Sequence, residues 1–280
     1  VDTVQPTQAN ATPSARPGPD DSSLLRLAAA RPDLAWPVEA DVSIARNAHE
    51  TNTRDELAGA LRGEFDWLEG DVRLDRTGRP VMQHDRDGSS DLDLATWLRV
   101  ADASGRGAKL DVKVRDALPA TIALVQQSGI DQRRLIINVG IWPAAELASI
   151  RRAFPDAIIN LGPGSNAALT SADLVGAQVA ARIVGGRVMF PIRQDFVTPG
   201  IVDALKPFGR VAVWNSPKLT NPGPRDVPRL RAMGVDGMID LREPASIGQH
   251  ASSAVIESAA WVFGWDPVRR ALDGLGLLKG

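Results

Sequence analysis

Eight short apolar, β-rich segments alternate with helical patterns along this sequence at intervals of roughly 25 to 30 residues, the rhythm of repeated βα units. They run from Val38 to Arg46, Trp67 to Leu74, Lys109 to Val114, Leu135 to Val139, Ala157 to Leu161, Arg187 to Ile192, Arg210 to Trp214 and Gly237 to Leu241. Parallel strands joined by helices need cover on both faces, and eight of them are most economically covered by closing into a (β/α)8 barrel. An open doubly wound sheet is the alternative. Neither a Gly-x-Gly-x-x-Gly opening a helix nor a P-loop is present to support it. The 280 residues suit one barrel, since such barrels commonly hold about 250 around a single core.

The helix after the first segment is well signed. Asn52 or Thr53 can cap it, Glu56 stands three residues after Thr53 as in a capping box, and Leu57, Ala60 and Leu61 form an apolar stripe. Between Leu74 and Lys109 the spacing lengthens. The turn Thr77-Gly78-Arg79 and the extended piece Pro80 to His84 predict an inserted hairpin ahead of a helix around Leu94 to Ala103. The polar, Pro-rich stretch from residue 1 to Ser23 reads as a disordered tether, leaving residues 24–280 as the single barrel domain. Such a tether is what signal-peptide removal leaves behind, which favours a secreted or surface-tethered protein over a cytoplasmic one.

Several function classes drop out. A net charge of -2 with both signs interspersed offers no basic stripe for nucleic acid. No apolar run approaches the roughly 18 residues a membrane span needs. The absence of cysteine excludes disulfides, thiolate metal sites and a cysteine nucleophile.

The C-terminal strand ends of a barrel converge on one mouth, so polar residues there are the candidates for chemistry. Glu69 and Asp71 end the second strand with the spacing that points both to one side, and Asp111 and Lys113 repeat it at the third. Three inward carboxylates repel one another unless a cation sits among them, and an all-oxygen donor set favours a hard ion, Mg²⁺ or Ca²⁺. Of the three histidines, His49 and His84 flank this cluster, where two imidazoles can act as base and acid in one turnover. Lys113 offers a fixed positive charge to a phosphate oxygen. The plainer readings are a solvated histidine, a surface Asp-Lys pair, a core Trp214, and Asn138, Asn160 and Asn215 as caps of the following helices. His250, among Ser and Ala, reads as structural.

The order His49, Glu69-x-Asp71, His84-Asp85 and Asp111-x-Lys113 resembles the phospholipase C-like phosphodiesterase superfamily, particularly its glycerophosphodiester phosphodiesterases and sphingomyelinase D-like enzymes. Ala48-His49-x-x-Asn52, Leu110-Asp111-x-Lys113, Phe154-Pro155-Asp156-Ala157 and Val213-Trp214-Asn215 look still more like the menorin family, a barrel branch of that superfamily. The likeness runs from about Val38 to Pro244. It implies Glu69, Asp71 and Asp111 as metal ligands, His49 and His84 as the acid–base pair, Lys113 as a phosphate contact, and Asn52 and Trp214 at the substrate. Where the glycerophosphodiesterases follow their first histidine with arginine and glycine, this chain has Glu50 and Thr51, so one phosphate-binding arginine is missing, with Arg46 and Arg193 the candidates to replace it; the phosphodiesterase reading weakens if neither does. The menorin-type tryptophan ahead of Ala-His is Asn47 here.

The implied activity is metal-dependent cleavage of a small-molecule or lipid-headgroup phosphodiester, by water or through a cyclic phosphate. A non-catalytic, metal-binding cell-surface interaction protein of the menorin type is the competing class. A glycosidase using Glu69 with another carboxylate would leave both histidines and Lys113 idle.

Overall fold

A computed structural model describes residues 18–86, 88–163, 168–215 and 226–241. Eight parallel strands form a nearly closed barrel: β1 (Asn47–Ala48), β2 (Trp67–Leu74), then after a short insertion β4 (Gly107–Val112), β5 (Leu135–Gly140), β6 (Ile158–Gly162), β7 (Val188–Arg193), β8 (Arg210–Trp214) and β9 (Ile239–Asp240). The insertion is β3 (Pro80–Met82), which pairs antiparallel with β2 as the expected hairpin. Sequential strands are neighbours throughout the parallel ladder, the order of a barrel rather than of a doubly wound sheet, where it reverses at a switch point. Helices cover the outside: α1 (Asp21–Ala29), α2 (Arg54–Arg62), α3 (Leu94–Ser104), α4 (Leu118–Ser128), α5 (Ala144–Ala153), α6 (Ser171–Val184), α7 (Pro199–Leu205) and α8 (Val227–Ala232).

Period-two alternation divides the strand residues between two cores. Leu68, Leu110, Ile137, Ile159, Phe190 and Val211 face the helices and belong to the larger cluster. Trp67, Ile136, Ile158, Met189, Ala212 and Met238 face inward and form a floor inside the barrel with Trp36, Val42 and Ala45. Trp36 meets Trp67 edge to face, their centroids 5.7 Å apart. The bulk of Trp67 is accommodated because its cross-strand neighbour is Gly107, where a Cβ would fall 2.1 Å from the indole ring. Gly107→Ala is therefore expected to cost about 1–3 kcal/mol of stability, as overpacking does. A urea midpoint unchanged by the substitution would show that Trp67 is not locked there.

Two expectations need correcting. The segment Val38 to Arg46 is not the first strand: Asp41 accepts a hydrogen bond from the Ser43 amide and starts a 3-10 turn over Val42–Ile44, and the strand follows at Asn47. Its apolar residues Val42 and Ala45 plug the barrel floor, so they mimic a strand pattern without joining the ladder. The stretch assigned to the tether also ends too late. Asp20 caps α1, Asp21 pairs with Arg54 and Arg99, and Leu24 is fully buried, so the chain is anchored before Ser23. Residues 1–17 and His250 lie outside the described residues.

Local signals elsewhere set the helices as expected. Thr53 and Glu56 make the reciprocal capping box of α2, which satisfies amide donors that a helix start leaves orphaned. At the other end of α2 the buried Arg106 donates to the Ala60 and Leu61 carbonyls, both at 2.8 Å. That places a cation at the negative end of the helix dipole. No described helix is long and apolar enough to cross a membrane.

Candidate active site

The site begins in the β1–α2 connection, His49-Glu50-Thr51-Asn52. Glu50 takes a left-handed conformation, φ 56, which costs a non-glycine residue energy and persists only where surroundings enforce it. Here they do: the Glu50 amide donates to Glu69 Oε2 at 2.6 Å, and the Thr51 amide and hydroxyl both donate to the Glu69 carbonyl. Trp97 Nε1 in turn donates to Thr51 Oγ1 at 2.9 Å. Asn52 is committed to Asp71, donating from Nδ2 to Asp71 Oδ2 at 2.6 Å and accepting the Asp71 amide at 2.8 Å. It is buried, and both ends of its amide engage Asp71. Gly70 lies between Glu69 and Asp71 on β2, where a Cβ would fall 2.3 Å from Met82 Cε and 3.4 Å from Asn52 Oδ1.

Inward alternation brings Glu69, Asp71 and Asp111 together, one carboxylate oxygen of each lying within 4.8 Å of the others. Asp71 and Asp111 stand opposite each other across β2 and β4, as Glu69 and Lys109 do one layer deeper. Lys113 Nζ reaches both upper carboxylates, 2.7 Å from Asp71 and 2.5 Å from Asp111. Lys109 Nζ sits 3.3 Å from Asp240, at the end of β9. Four carboxylates, those of Glu69, Asp71, Asp111 and Asp240, thus meet two ammonium groups. The ionised cluster carries two excess negative charges, which one divalent cation cancels.

Asp240 also organises the first histidine. It accepts from Asn47 Nδ2 at 2.8 Å and lies 2.8 Å from His49 Nδ1, drawing the two edge strands of the barrel together. A carboxylate can only accept, so Nδ1 carries a proton, and Nε2 is the ring nitrogen whose proton can come and go at the cluster. Nε2 faces the cluster, 3.8 Å from Glu69 Oε2. His84 comes from the inserted hairpin. It follows β3, its carbonyl accepts from Arg73 at 2.8 Å, and its half-exposed ring has Nδ1 2.9 Å from Asp85 and Nε2 3.8 Å from Glu50.

The two arginine candidates fare differently. Arg46 precedes β1 and clasps Asp66, which precedes β2, so it lies at the strand starts, opposite the mouth. It is corrected to a structural ion pair. Arg193 ends β7 on the mouth side but is buried, paired with Asp195 at 2.6 Å and stacked over Phe196 at 4.1 Å. Trp214 ends β8 level with Asp240, partly buried. Asn138 and Asn160 are not helix caps: they sit within β5 and β6, cross-strand neighbours in line with Asp111 and on the inward parity of Ile136 and Ile158. The side-chain carbonyls of both have no hydrogen-bond partner among the described residues.

Residues 41–199, more than half of the chain, match the family model of the menorin N-terminal domain. The chain belongs to the menorin family. This menorin-family barrel is similar to the structure of a glycerophosphoryl diester phosphodiesterase from Parabacteroides distasonis, at 14% identity and TM-score 0.52, covering 87% of this chain and 93% of that one. It is similar too to a candidate glycerophosphoryl diester phosphodiesterase from Silicibacter pomeroyi, at 18% identity and TM-score 0.55, covering 80% and 95%. A candidate glycerophosphodiester phosphodiesterase from Galdieria sulphuraria matches at 14% identity and TM-score 0.55, covering 73% and 96%. At these identities the likeness is one of fold.

The menorin-family site has a pH signature. Burial pushes the Glu69 carboxyl above its ordinary value; His49 pulls it down and Asp71 adds to the rise. A raised folded-state value means that Glu69 contributes most to stability at low pH and that this contribution is lost as pH climbs through its range. A cation needs Glu69 ionised and works the other way. The rise in Tm on adding Ca²⁺ is therefore expected to be larger at about pH 8 than at about pH 5. Equal rises at both would remove Glu69 from the ligand set.

Proposed function

We propose that this menorin-family barrel cleaves a phosphodiester, a glycerophosphodiester or phospholipid headgroup, with a divalent cation held by Glu69, Asp71 and Asp111. The supporting observation is His49, fixed by Asp240 through Nδ1 while Nε2 faces the carboxylate trio. In that tautomer His49 takes the proton of the attacking hydroxyl, whether of water or of the substrate itself. His84 gives a proton to the leaving oxygen. Lys113, held above its ordinary value because Asp111 and Asp71 outweigh the effect of burial, remains a full positive charge for a phosphate oxygen. The cation, Mg²⁺ or Ca²⁺, supplies charge stabilisation at the phosphoryl oxygens when bound. Of the two arginine candidates Arg193 is the one at the mouth side, where it would have to exchange its Asp195 pairing for a phosphate; Trp214 lines the mouth, and Asn138 and Asn160 offer acceptors to hydroxyls of the alcohol moiety. The polar Pro-rich leader supports a secreted or surface-tethered setting for this chemistry.

The test is a phosphorus NMR screen of glycerophosphodiesters, lysophospholipids and sphingomyelin with Mg²⁺, with Ca²⁺ and with chelator. Turnover that chelator abolishes is expected for one of these classes. Cation binding without turnover of any would favour the non-catalytic, metal-binding interaction protein instead.

A further inference from the structure

We propose a second cation site, formed by Glu50, Asp71 and His84, that takes a borderline ion such as Zn²⁺ and, when filled, withdraws His84 from acid–base chemistry. One ligand atom from each of the three lies within 4.8 Å of the other two. The cluster shares Asp71 with the first site but differs from it chemically. Two carboxylates and an imidazole suit Zn²⁺ or Co²⁺, whereas the all-oxygen trio suits Mg²⁺ or Ca²⁺.

Two further observations point to a ligand here. His84 turns Nδ1 to the Asp85 carboxylate at 2.9 Å, leaving Nε2 toward Glu50 at 3.8 Å. A carboxylate on one ring nitrogen and a metal on the other is the usual setting of a ligating imidazole. Asp71, for its part, is fully buried, with Oδ2 taken by Asn52. Its Oδ1 is ion-paired with Lys113 Nζ at 2.7 Å, and no group among the described residues meets it in hydrogen-bond geometry. A buried carboxylate so placed can serve two cations as a bridge. Ligand atoms around an occupied site stand roughly 3 Å apart, and the closure falls to the side chains of His84 and Glu50, which are 53% and 34% exposed where Asp71 is buried.

The consequence follows from the lone pair. An Nε2 bonded to an ion can neither take nor deliver a proton, so the second ion is a brake on the reaction. The brake rests on the acid–base role proposed for His84; the site does not.

The experiment is calorimetric titration of Zn²⁺ into the protein held in saturating Mg²⁺, repeated on Glu50→Gln, His84→Ala and Asp111→Asn. One Zn²⁺ is expected to bind wild type, and Glu50→Gln and His84→Ala are each expected to weaken it by at least about tenfold. Co²⁺ used as probe should show absorption bands that His84→Ala alters. No Zn²⁺ uptake, or uptake that Asp111→Asn abolishes while Glu50→Gln and His84→Ala leave it intact, overturns the site, because zinc is then entering the first one. Zinc binding of the expected kind in a protein that turns over no phosphodiester upholds the site and sinks the enzymatic reading. Turnover that continues unchanged with the site filled overturns the brake.

Discussion

Replacing His49 by alanine is expected to lower phosphodiester turnover by about 10²–10⁴ while leaving the fold and cation affinity intact. The ring is held at one nitrogen by Asp240 and faces Glu69 with the other, so its loss removes a proton-transfer group at the cluster while Asn47 and Lys109 still hold Asp240. His84→Ala is expected to cost a similar factor. The double variant should fall little below the worse single one, because groups acting in one proton relay are not additive. Asp240→Asn tests the positioning argument separately. An amide NH₂ facing Nδ1 favours the other tautomer, so the variant should lose turnover at constant KM. Both histidine variants retaining near wild-type rates on the best substrate would move the chemistry elsewhere in the barrel.

The second large effect concerns Asp71, the residue most completely enclosed by the site. Asn52 holds one of its oxygens, Lys113 approaches the other, and no part of it reaches solvent. Replacing an outer-sphere partner of a metal ligand typically costs about 10–100-fold in affinity, so Asn52→Ala should fall in that range. Asp71→Asn removes an ionised ligand outright and should weaken Mg²⁺ or Ca²⁺ by more than about 100-fold. Since Asp71 is shared, Zn²⁺ binding should fall with it. Calorimetry of the variant beside wild type decides the matter: equal affinities would show that the trio holds no ion.

Most of the barrel was legible in the sequence because buried parallel strands are near-continuous apolar runs. Trp67–Leu74 and Arg210–Trp214 have the expected bounds, and the remaining ladder strands from β4 to β7 shift by one or two residues. The first strand was misread because Val42 and Ala45 are apolar for another reason, plugging the floor. The carboxylate trio could be read from i, i+2 spacing at two successive strand ends. Asp240 and Lys109 were missed, though the same signal was present. Asp240 ends the last strand, and Lys109 stands two residues before Asp111 on the same parity. Their partners lie 131 residues apart in sequence, and only barrel closure makes them neighbours. The separation of Arg46 from Arg193 was likewise illegible, since it depends on which end of a strand each occupies. The engagement of Asn52 with Asp71 was illegible too, because its spacing from His49 carries no information about which way its amide turns.

The measurement that bears most directly on the account is cation add-back. Protein stripped by chelator is returned to Mg²⁺ or Ca²⁺ stepwise while phosphodiester turnover is followed by phosphorus NMR. Turnover is expected to be absent in the stripped protein, to return with the occupancy that calorimetry measures for the same ion, and to stay absent in Asp71→Asn. Turnover that is indifferent to the chelator, or equal in Asp71→Asn and wild type, would contradict a reaction run on the Glu69, Asp71 and Asp111 site.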